Sequence, residues 1–355
     1  ILERILQNAH EGAIMNNRAN IEQTLQIGTC VAIFLQNTEC NQQAIELCKE
    51  CLVLLNNSAL GIGDQVTKTY KCNIYNTMLK AYKYISDYIN AERCARELLP
   101  ILHDLGETEQ EGIVRFKLAE MYCNQRKFEQ AKKLYEIAIE NMKAIGKRRG
   151  EADGYNALGS MSNSLHEYLK AKEYFEKALA INIEIGDKGG EAINYDNQGT
   201  VLYSLGEYQK AKEYHDKALA INMEIGERGE KARNYGNLGV VLHSLGEYQK
   251  AKEFHEKALA INIEIGNKGE EATNYGSQGT VLHSLGEYQK AKEYHEKALA
   301  INMEMGDKRG EAINYGNIGR VLHSLGEYQK AKEYHEKALA INMEIGDKRG
   351  EATNY

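Results

Sequence analysis

At 355 residues the chain has room for two ordinary domains, and 23 Tyr with a single Pro and no Trp suit long helices in which tyrosine fills the large aromatic slots. A net charge of -7 excludes a broad non-specific surface for nucleic acid or anionic membrane, both of which need clustered Lys and Arg. No apolar run approaches the roughly 20 residues of a membrane span, and the stretch from Ile1 lacks the basic-then-apolar layout of a signal peptide, so no membrane insertion is expected.

Residues 1–24 are apolar-periodic without a clear unit, and Val31, Ala32, Leu35, Ala44, Cys51 and Leu52 follow a helical spacing loosely. Residues 1–66 therefore read as an irregular or diverged helical cap. All seven Cys lie at or before Cys123, and an odd number cannot form a complete disulfide framework. A reducing compartment and a cytoplasmic location follow as expectations. Cys48 and Cys51 have the spacing of half a metal site, but no second pair follows; on a helix such thiols act as small buried hydrophobes. No metal and no cofactor is expected.

From residue 67 onward the pattern becomes regular. Tyr75, Met78, Leu79, Tyr82, Tyr88 and Ala91 carry a first unit near 72–106, and Leu118, Ala119, Tyr122, Phe128, Ala131, Tyr135 and Ala138 a second near 112–146. From Ala152 the chain repeats itself every forty residues. The string that opens at Gly206 returns at Gly246, Gly286 and Gly326, and a variant begins at His166. This predicts units near 152–186, 192–226, 232–266, 272–306 and 312–346, with a truncated one from 352. Self-similarity at such a period is the mark of a solenoid, in which each unit packs on its neighbours.

Within the unit 232–266, Tyr235, Leu238, Gly239, Leu242 and Leu245 form the stripe of one amphipathic helix, which Gly246 ends. The second helix places Tyr248, Ala251, His255, Ala258 and Leu259 on one stripe and Phe254, Ala258, Ile261 and Ile265 on another. Apolar on two sides, it has to be sandwiched between its own first helix and the next repeat. Gly239, Ala251 and Ala258 mark a close helix crossing, and Glu253 and Lys257 are spaced for an i, i+4 ion pair. Gly266 stands where a left-handed C-terminal cap is wanted; Asp187, Asp307 and Asp347 are candidate N-caps.

Tyr235, Leu238, Gly239, Leu242, Gly246, Tyr248, Ala251 and Ala258 are spaced as in the tetratricopeptide repeat, and the chain resembles the forty-residue version found in the LGN/Pins family of polarity adaptors. The resemblance implies an all-α, right-handed superhelical solenoid of antiparallel helix pairs spanning 67–355, with a protein or peptide ligand held in a concave groove. It also implies acidic peptide tails as ligands, although the G-protein-binding motifs of that family are not visible here. In this stacking the first helices line the groove. Its expected lining is Ile193, Asp196, Asn197, Thr200 and Tyr203; then Arg233, Asn237, Val240 and His243; then Thr273, Ser277, Thr280 and His283; and last Asn317, Arg320 and His323. The repeats differ from one another at these positions, while the charged exterior of the second helix hardly changes. Asn offers donors and an acceptor to an extended backbone, and Arg233 and Arg320 add carboxylate recognition.

Two departures from the repeat pattern stand out. The second-helix aromatic slot is Phe175 in one unit but His215, His255, His295 and His335 in the next four. These read as neutral core histidines hydrogen-bonded within their repeats, with a pH-sensitive array as the sharper alternative; helices stacked about 10 Å apart cannot share one ion between successive histidines. Gln198 and Gln278 occupy a slot that is Leu158, Leu238 and Ile318 elsewhere, an alternation that suggests duplication in pairs.

Catalysis is not supported, because no phosphate-binding loop follows a strand and Ser244 beside His243 is only sequence adjacency. A regulatory arm of a larger enzyme with a caspase-like or nucleotide-binding module is the alternative to a free-standing scaffold. A base-by-base RNA reader would need a basic channel, so no nucleic-acid partner is expected. Tyr334, Ala338, Ile341 and Ile345, on the outer face of the last complete unit, are expected to be uncovered and to favour self-association.

Overall fold

The computed structural model describes residues 18–56 and 63–350; residues 1–17 of the expected cap and the truncated unit from 352 lie outside them. Among the described residues there are sixteen helices and no strand. They alternate as hairpins: α1 (Arg18–Asn37) with α2 (Asn41–Leu55), α3 (Asp64–Tyr84) with α4 (Tyr88–Leu105), and α5 (Thr108–Asn124) with α6 (Phe128–Ala144). There follow α7 (Arg148–Ser164), α8 (Tyr168–Glu184), α9 (Lys188–Ser204), α10 (Tyr208–Ile225), α11 (Arg228–Ser244) and α12 (Tyr248–Glu264). The last four are α13 (Lys268–Ser284), α14 (Tyr288–Met305), α15 (Lys308–Ser324) and α16 (Tyr328–Ile345). The chain divides into two compact units, one up to Met161 and one from Ser162.

In the first unit α1 and α2 pack on each other and on α3, α3 pairs with α4, α4 abuts α5, and α5 pairs with α6. Leu25, Ala32, Ala44 and Cys48 are fully buried. Burial pushes the Cys48 thiol up to about 12, with the neighbouring Cys51 and Cys94 adding to it, and Cys51 to about 11. Both thiols stay protonated at neutral pH and serve as packing groups.

In the second unit each inner second helix is covered on both sides, as its two stripes require. α10 packs on α9 and α11, α12 on α11 and α13, and α14 on α13 and α15. The core is a run of equivalent layers, each drawing on two repeats. Leu202 and Ala211 meet Val241 of the next unit, Leu242 and Ala251 meet Val281, and Leu282 and Ala291 meet Val321. Since every layer is shared, no repeat in this stack buries its own surface alone.

Small residues set the spacing, but not through the contact expected. A Cβ on Gly239 would lie 2.6 Å from the His255 ring rather than meet Ala251 or Ala258, and Gly199, Gly279 and Gly319 face His215, His295 and His335 in the same way. The imidazole lies flat on bare helix backbone, which is why a larger residue is barred there. Lys257 also departs from expectation. Its ammonium sits over the Tyr235 and Phe254 rings, at 5.7 and 4.8 Å from their centres, and Lys217, Lys297 and Lys337 bridge ring pairs likewise. At the last hairpin Ile345 is exposed, whereas Ala338 is buried within its own repeat rather than uncovered.

The turns explain the repeat boundaries. Asp187, Asn267, Asp307 and Asp347 each accept a hydrogen bond from the backbone N–H three residues on, and Gly266 closes α12 with φ 72°. Inside each repeat one register is left-handed throughout. Gly206, Gly246, Gly286 and Gly326 hold it at φ 77° to 80°, but Ser86, Arg126 and His166 occupy the same register at φ 60°, 59° and 61°. A Cβ is disfavoured in that region.

Two stability predictions follow from this packing. Ser86→Gly and Arg126→Gly each raise stability by about 0.5–1 kcal/mol in urea melts, while Gly246→Ala lowers it by at least as much. Gln198 and Gln278 are buried with amide nitrogens that have no partner, where Leu238 and Ile318 pack cleanly. Replacing either by Leu raises stability by about 1–3 kcal/mol, read from the same melts.

Candidate functional site

The first helices form the inner layer of the second unit. α9, α11, α13 and α15 approach their successors directly, and more extensively than the second helices approach one another. Positions three and four apart share a helix face, so residues 193, 196, 197 and 200 of α9 and their counterparts in α11, α13 and α15 fall on one continuous strip. The expected groove residues all lie on or beside it. They do not, however, all remain available.

Ile193, Val240 and Ile313 are exposed apolar side chains, and Arg233, Thr273, Arg320 and His323 are exposed beside them. Asn197, Thr200, Ser277, Thr280 and Asn317 are half-buried. The Thr200, Thr273 and Thr280 hydroxyls bond back to carbonyls one turn earlier, those of Asp196, Gly269 and Gly276, leaving their methyl groups outward. Arg320 donates to the Asn317 amide oxygen at 2.7 Å.

The row Tyr203, His243, His283 is already engaged between repeats. Tyr203 hydroxyl lies 3.1 Å from Ser244 Oγ, His243 Nε2 2.8 Å from Ser284 Oγ, and His283 Nε2 2.9 Å from Ser324 Oγ. Ser244 and His243 thus work in opposite directions along a hydrogen-bond ladder. Each ring of this row also packs edgewise or tilted on a tyrosine of its own hairpin, including His323 on Tyr328. Burial lowers the pKa of His243 and of His283, the latter helped by the Arg320 charge.

Asp196 is the clearest correction to the groove list. It is 3% exposed and its carboxylate is fully engaged. His215 Nδ1 donates to it at 2.8 Å and Asn234 Nδ2 at 2.7 Å; Asn237 Nδ2 reaches both oxygens at 3.1 and 3.2 Å, and Arg233 Nε stands 3.3 Å away. Behind them Asn222 donates to Asn234 at 2.7 Å. Burial alone would raise the Asp196 pKa, but the His215 hydrogen bond and charge, Arg233 and Asn237 together hold it below the usual carboxylate range. The carboxylate is ionised, accepts only, and so fixes Nδ1 as the protonated nitrogen of His215.

The neighbouring repeats lack this acid. Gly236, Gly276 and Gly316 take its place, and the Nδ1 atoms of His255 and His295 are buried without a hydrogen-bond partner. Expected hydrogen bonding within each repeat therefore fails at these two histidines. The sequence reading also passed over Asn234, Asn274 and Asn314 in the first helices and Asn222, Asn262 and Asn302 in the second, all of them buried. The signal was their recurrence in every unit. A polar residue repeated at a core register is a network member rather than drift.

With this geometry in view, the profile of the tetratricopeptide repeat family matches residues 111–184, 150–224, 190–264, 230–304 and 270–344, well over half of the chain. The chain is a tetratricopeptide repeat protein. No curated protein matches it. Among solved structures this repeat protein is similar to the apo form of RapI, at 19% identity and TM-score 0.63, covering 78% of this chain and 99% of that one. It is similar to a Rap protein complexed with competence and sporulation factor, at 16% identity and TM-score 0.56 over 94% and 96% of the two chains. A signal transduction ATPase with numerous domains and a tetratricopeptide repeat sensor, from Pyrococcus horikoshii, matches at 18% identity and TM-score 0.57 over 87% of this chain; the chain spans 51% of that protein. At such identities the likeness is one of fold. Tetratricopeptide arrays are generally non-catalytic scaffolds for protein interaction, and among the described residues no helix is long and apolar enough to cross a membrane.

The histidines of this repeat protein give it a defined acid response. Desolvation pushes His255 and His295 down to about 4, with Asn274 and Asn314 beside them acting weakly in the opposite sense. A depressed histidine binds its proton more readily when unfolded, where its pKa is about 6.5. Their contribution is therefore complete above about pH 6.5, is lost between there and pH 4 by an amount on the order of 3 kcal/mol per histidine, and does not change below. Asp196, with its lowered pKa, loses its contribution only in more acid solution. Circular dichroism of urea melts across pH 7 to 4 will show this slope, and His255→Phe with His295→Phe, copying Phe175, will flatten it.

Proposed function

We propose that the strip of first helices from α9 to α15 holds an extended segment of a partner protein, and that the chain works as a non-catalytic scaffold. The observation that carries this reading is the distribution of differences between repeats. The exposed strip reads Ile193, Arg233, Thr273 and Ile313 at one register and Thr200, Val240, Thr280 and Arg320 at another, while the charged second-helix exteriors are nearly identical. Both surfaces are solvent-facing, so indifferent drift would have marked both. The similarity to a Rap protein complexed with competence and sporulation factor supports a peptide as the ligand class.

Exposed Ile193, Val240 and Ile313 supply apolar contact, and half-buried Asn197, Ser277 and Asn317 supply donors and acceptors for a peptide backbone. Several weak contacts in series then give an extended ligand its affinity. A second reading, the sensing arm of a larger signalling protein, draws support from the likeness to the multidomain ATPase with a repeat sensor. Both readings use the same strip.

The test compares partner capture by the wild-type chain, by Ile193→Asp with Ile313→Asp, and by Glu256→Lys with Glu296→Lys on the second-helix exterior. Loss of a captured partner by at least about tenfold in the first pair alone, with unchanged melting, is the expected result. Retention there, or loss only in the second pair, refutes the strip as the site. Asn237→Ala is unsuitable for this purpose, because that side chain holds the buried Asp196.

A further inference from the structure

Asp196 shows what the neighbouring registers are built to receive. In the unit 192–226 the His215 ring lies with its Cε1–Nε2–Cδ2 edge on Gly199, which turns Nδ1 one helical turn back onto the Asp196 carboxylate. His255 lies on Gly239 and His295 on Gly279 by the same ring atoms, at 2.6 to 2.8 Å from an added Cβ. Their Nδ1 atoms therefore face Gly236 and Gly276. There no acid waits. Both histidines are 2% exposed and both Nδ1 atoms lack a partner. The glycines themselves are half-buried, so each position opens to solvent where Asp196 closes its own.

The other donors recur as well. Asn234, which binds Asp196, is followed by Asn274, whose amide oxygen would lie 3.7 Å from a Cβ on Gly236, and by Asn314, 3.5 Å from one on Gly276. Their amides face the vacant position with oxygen where Asn234 turns its nitrogen, so a carboxylate arriving there is met by an amide rotation. Asn237 is followed by Ser277 and Asn317, and Arg320 is hydrogen-bonded to Asn317. At the next register, Gly316 borders a cavity of about 240 Å³ whose lining includes Ile313, Asn317, Arg320 and His335, with Arg309 and the Asp347 carboxylate at its side.

We infer that Gly236 and Gly276 open two carboxylate sockets, in which acidic side chains of a bound peptide take the place that Asp196 fills from within the chain. Each carboxylate accepts from a histidine Nδ1–H and from the following repeat's Asn, and in the second socket also from Asn317, with Arg320 near. Stacked helices lie about 10 Å apart and an extended chain advances about 3.3 Å per residue, so the sockets select acids three residues apart. This inference rests on the proposed peptide-binding strip and specifies its ligand.

The probes are a ten-residue synthetic peptide with Glu at every third position and its Gln counterpart, titrated against the full chain by fluorescence anisotropy and followed by NMR of the histidine ring protons. The wild-type chain should bind the Glu peptide at least about tenfold more tightly than the Gln peptide, with His255 and His295 resonances moving. Gly236→Asp with Gly276→Asp fills both sockets from within, since an added Cβ meets nothing closer than ordinary contact. That variant should lose the Glu peptide and raise the pKa of both histidines, whereas Gly236→Ala with Gly276→Ala should keep binding. Equal affinity for the two peptides, no binding of either, or undiminished binding by the aspartate variant overturns the sockets. A partner captured through Ile193 and Ile313 that still binds the aspartate variant leaves the strip standing and removes only the sockets.

Discussion

A helix that is apolar on two sides cannot be satisfied by one partner, and the second unit is organised around that constraint. Each inner second helix needs its own first helix and the next repeat's, so Leu202, Ala211 and Val241 form a layer that belongs to neither repeat alone. The forty-residue period, the tight turns and the close helix crossings all serve to bring the next covering surface into place. The first helices then meet along the inner side, and their outward residues become a strip that no single repeat could offer.

The same crowding brings polar groups into the core. An imidazole laid on bare glycine backbone takes less depth than the larger residues the slot could hold, but it has a ring nitrogen that must be answered. In one repeat Asp196 answers it, with Asn234, Asn237 and Arg233 completing the shell. In the next two no group of the chain does. Phe175, in the unit before, avoids the question altogether. Stability and recognition are thus set at one register, by whether an acid, a glycine or an aromatic ring is found there.

Much of this was legible in the residues. Periodicity gave the helix pairs, the two-sided stripe of the second helix gave the stacking, and Asp187, Asp307 and Gly266 marked helix ends that the structure places there. What could not be read was which polar side chains face inward. Asp196 and Gly236 differ in sequence as groove residues would, yet one is a core carboxylate and the other a gap; helical spacing places both on the inner face without giving depth. Lys257 likewise has an acid at i−4 and two rings within reach, and spacing alone does not choose between them. The His255–Gly239 contact joins positions sixteen residues apart across a hairpin, beyond any single-helix pattern.

Near-identical units raise a difficulty that a unique sequence avoids. The layers Leu202–Val241, Leu242–Val281 and Leu282–Val321 are interchangeable, so α9 would accept α13 or α15 across its second helix almost as well as α11. Asp196 breaks that degeneracy. Set against α13 it would meet Thr273 and Ser277, and against α15 Ile313, in place of the Arg233 and Asn237 that α11 supplies, leaving a buried charge short of partners. One carboxylate therefore acts as an address label, naming which copy must dock first and orienting the assembly of a stack whose other seams all read alike.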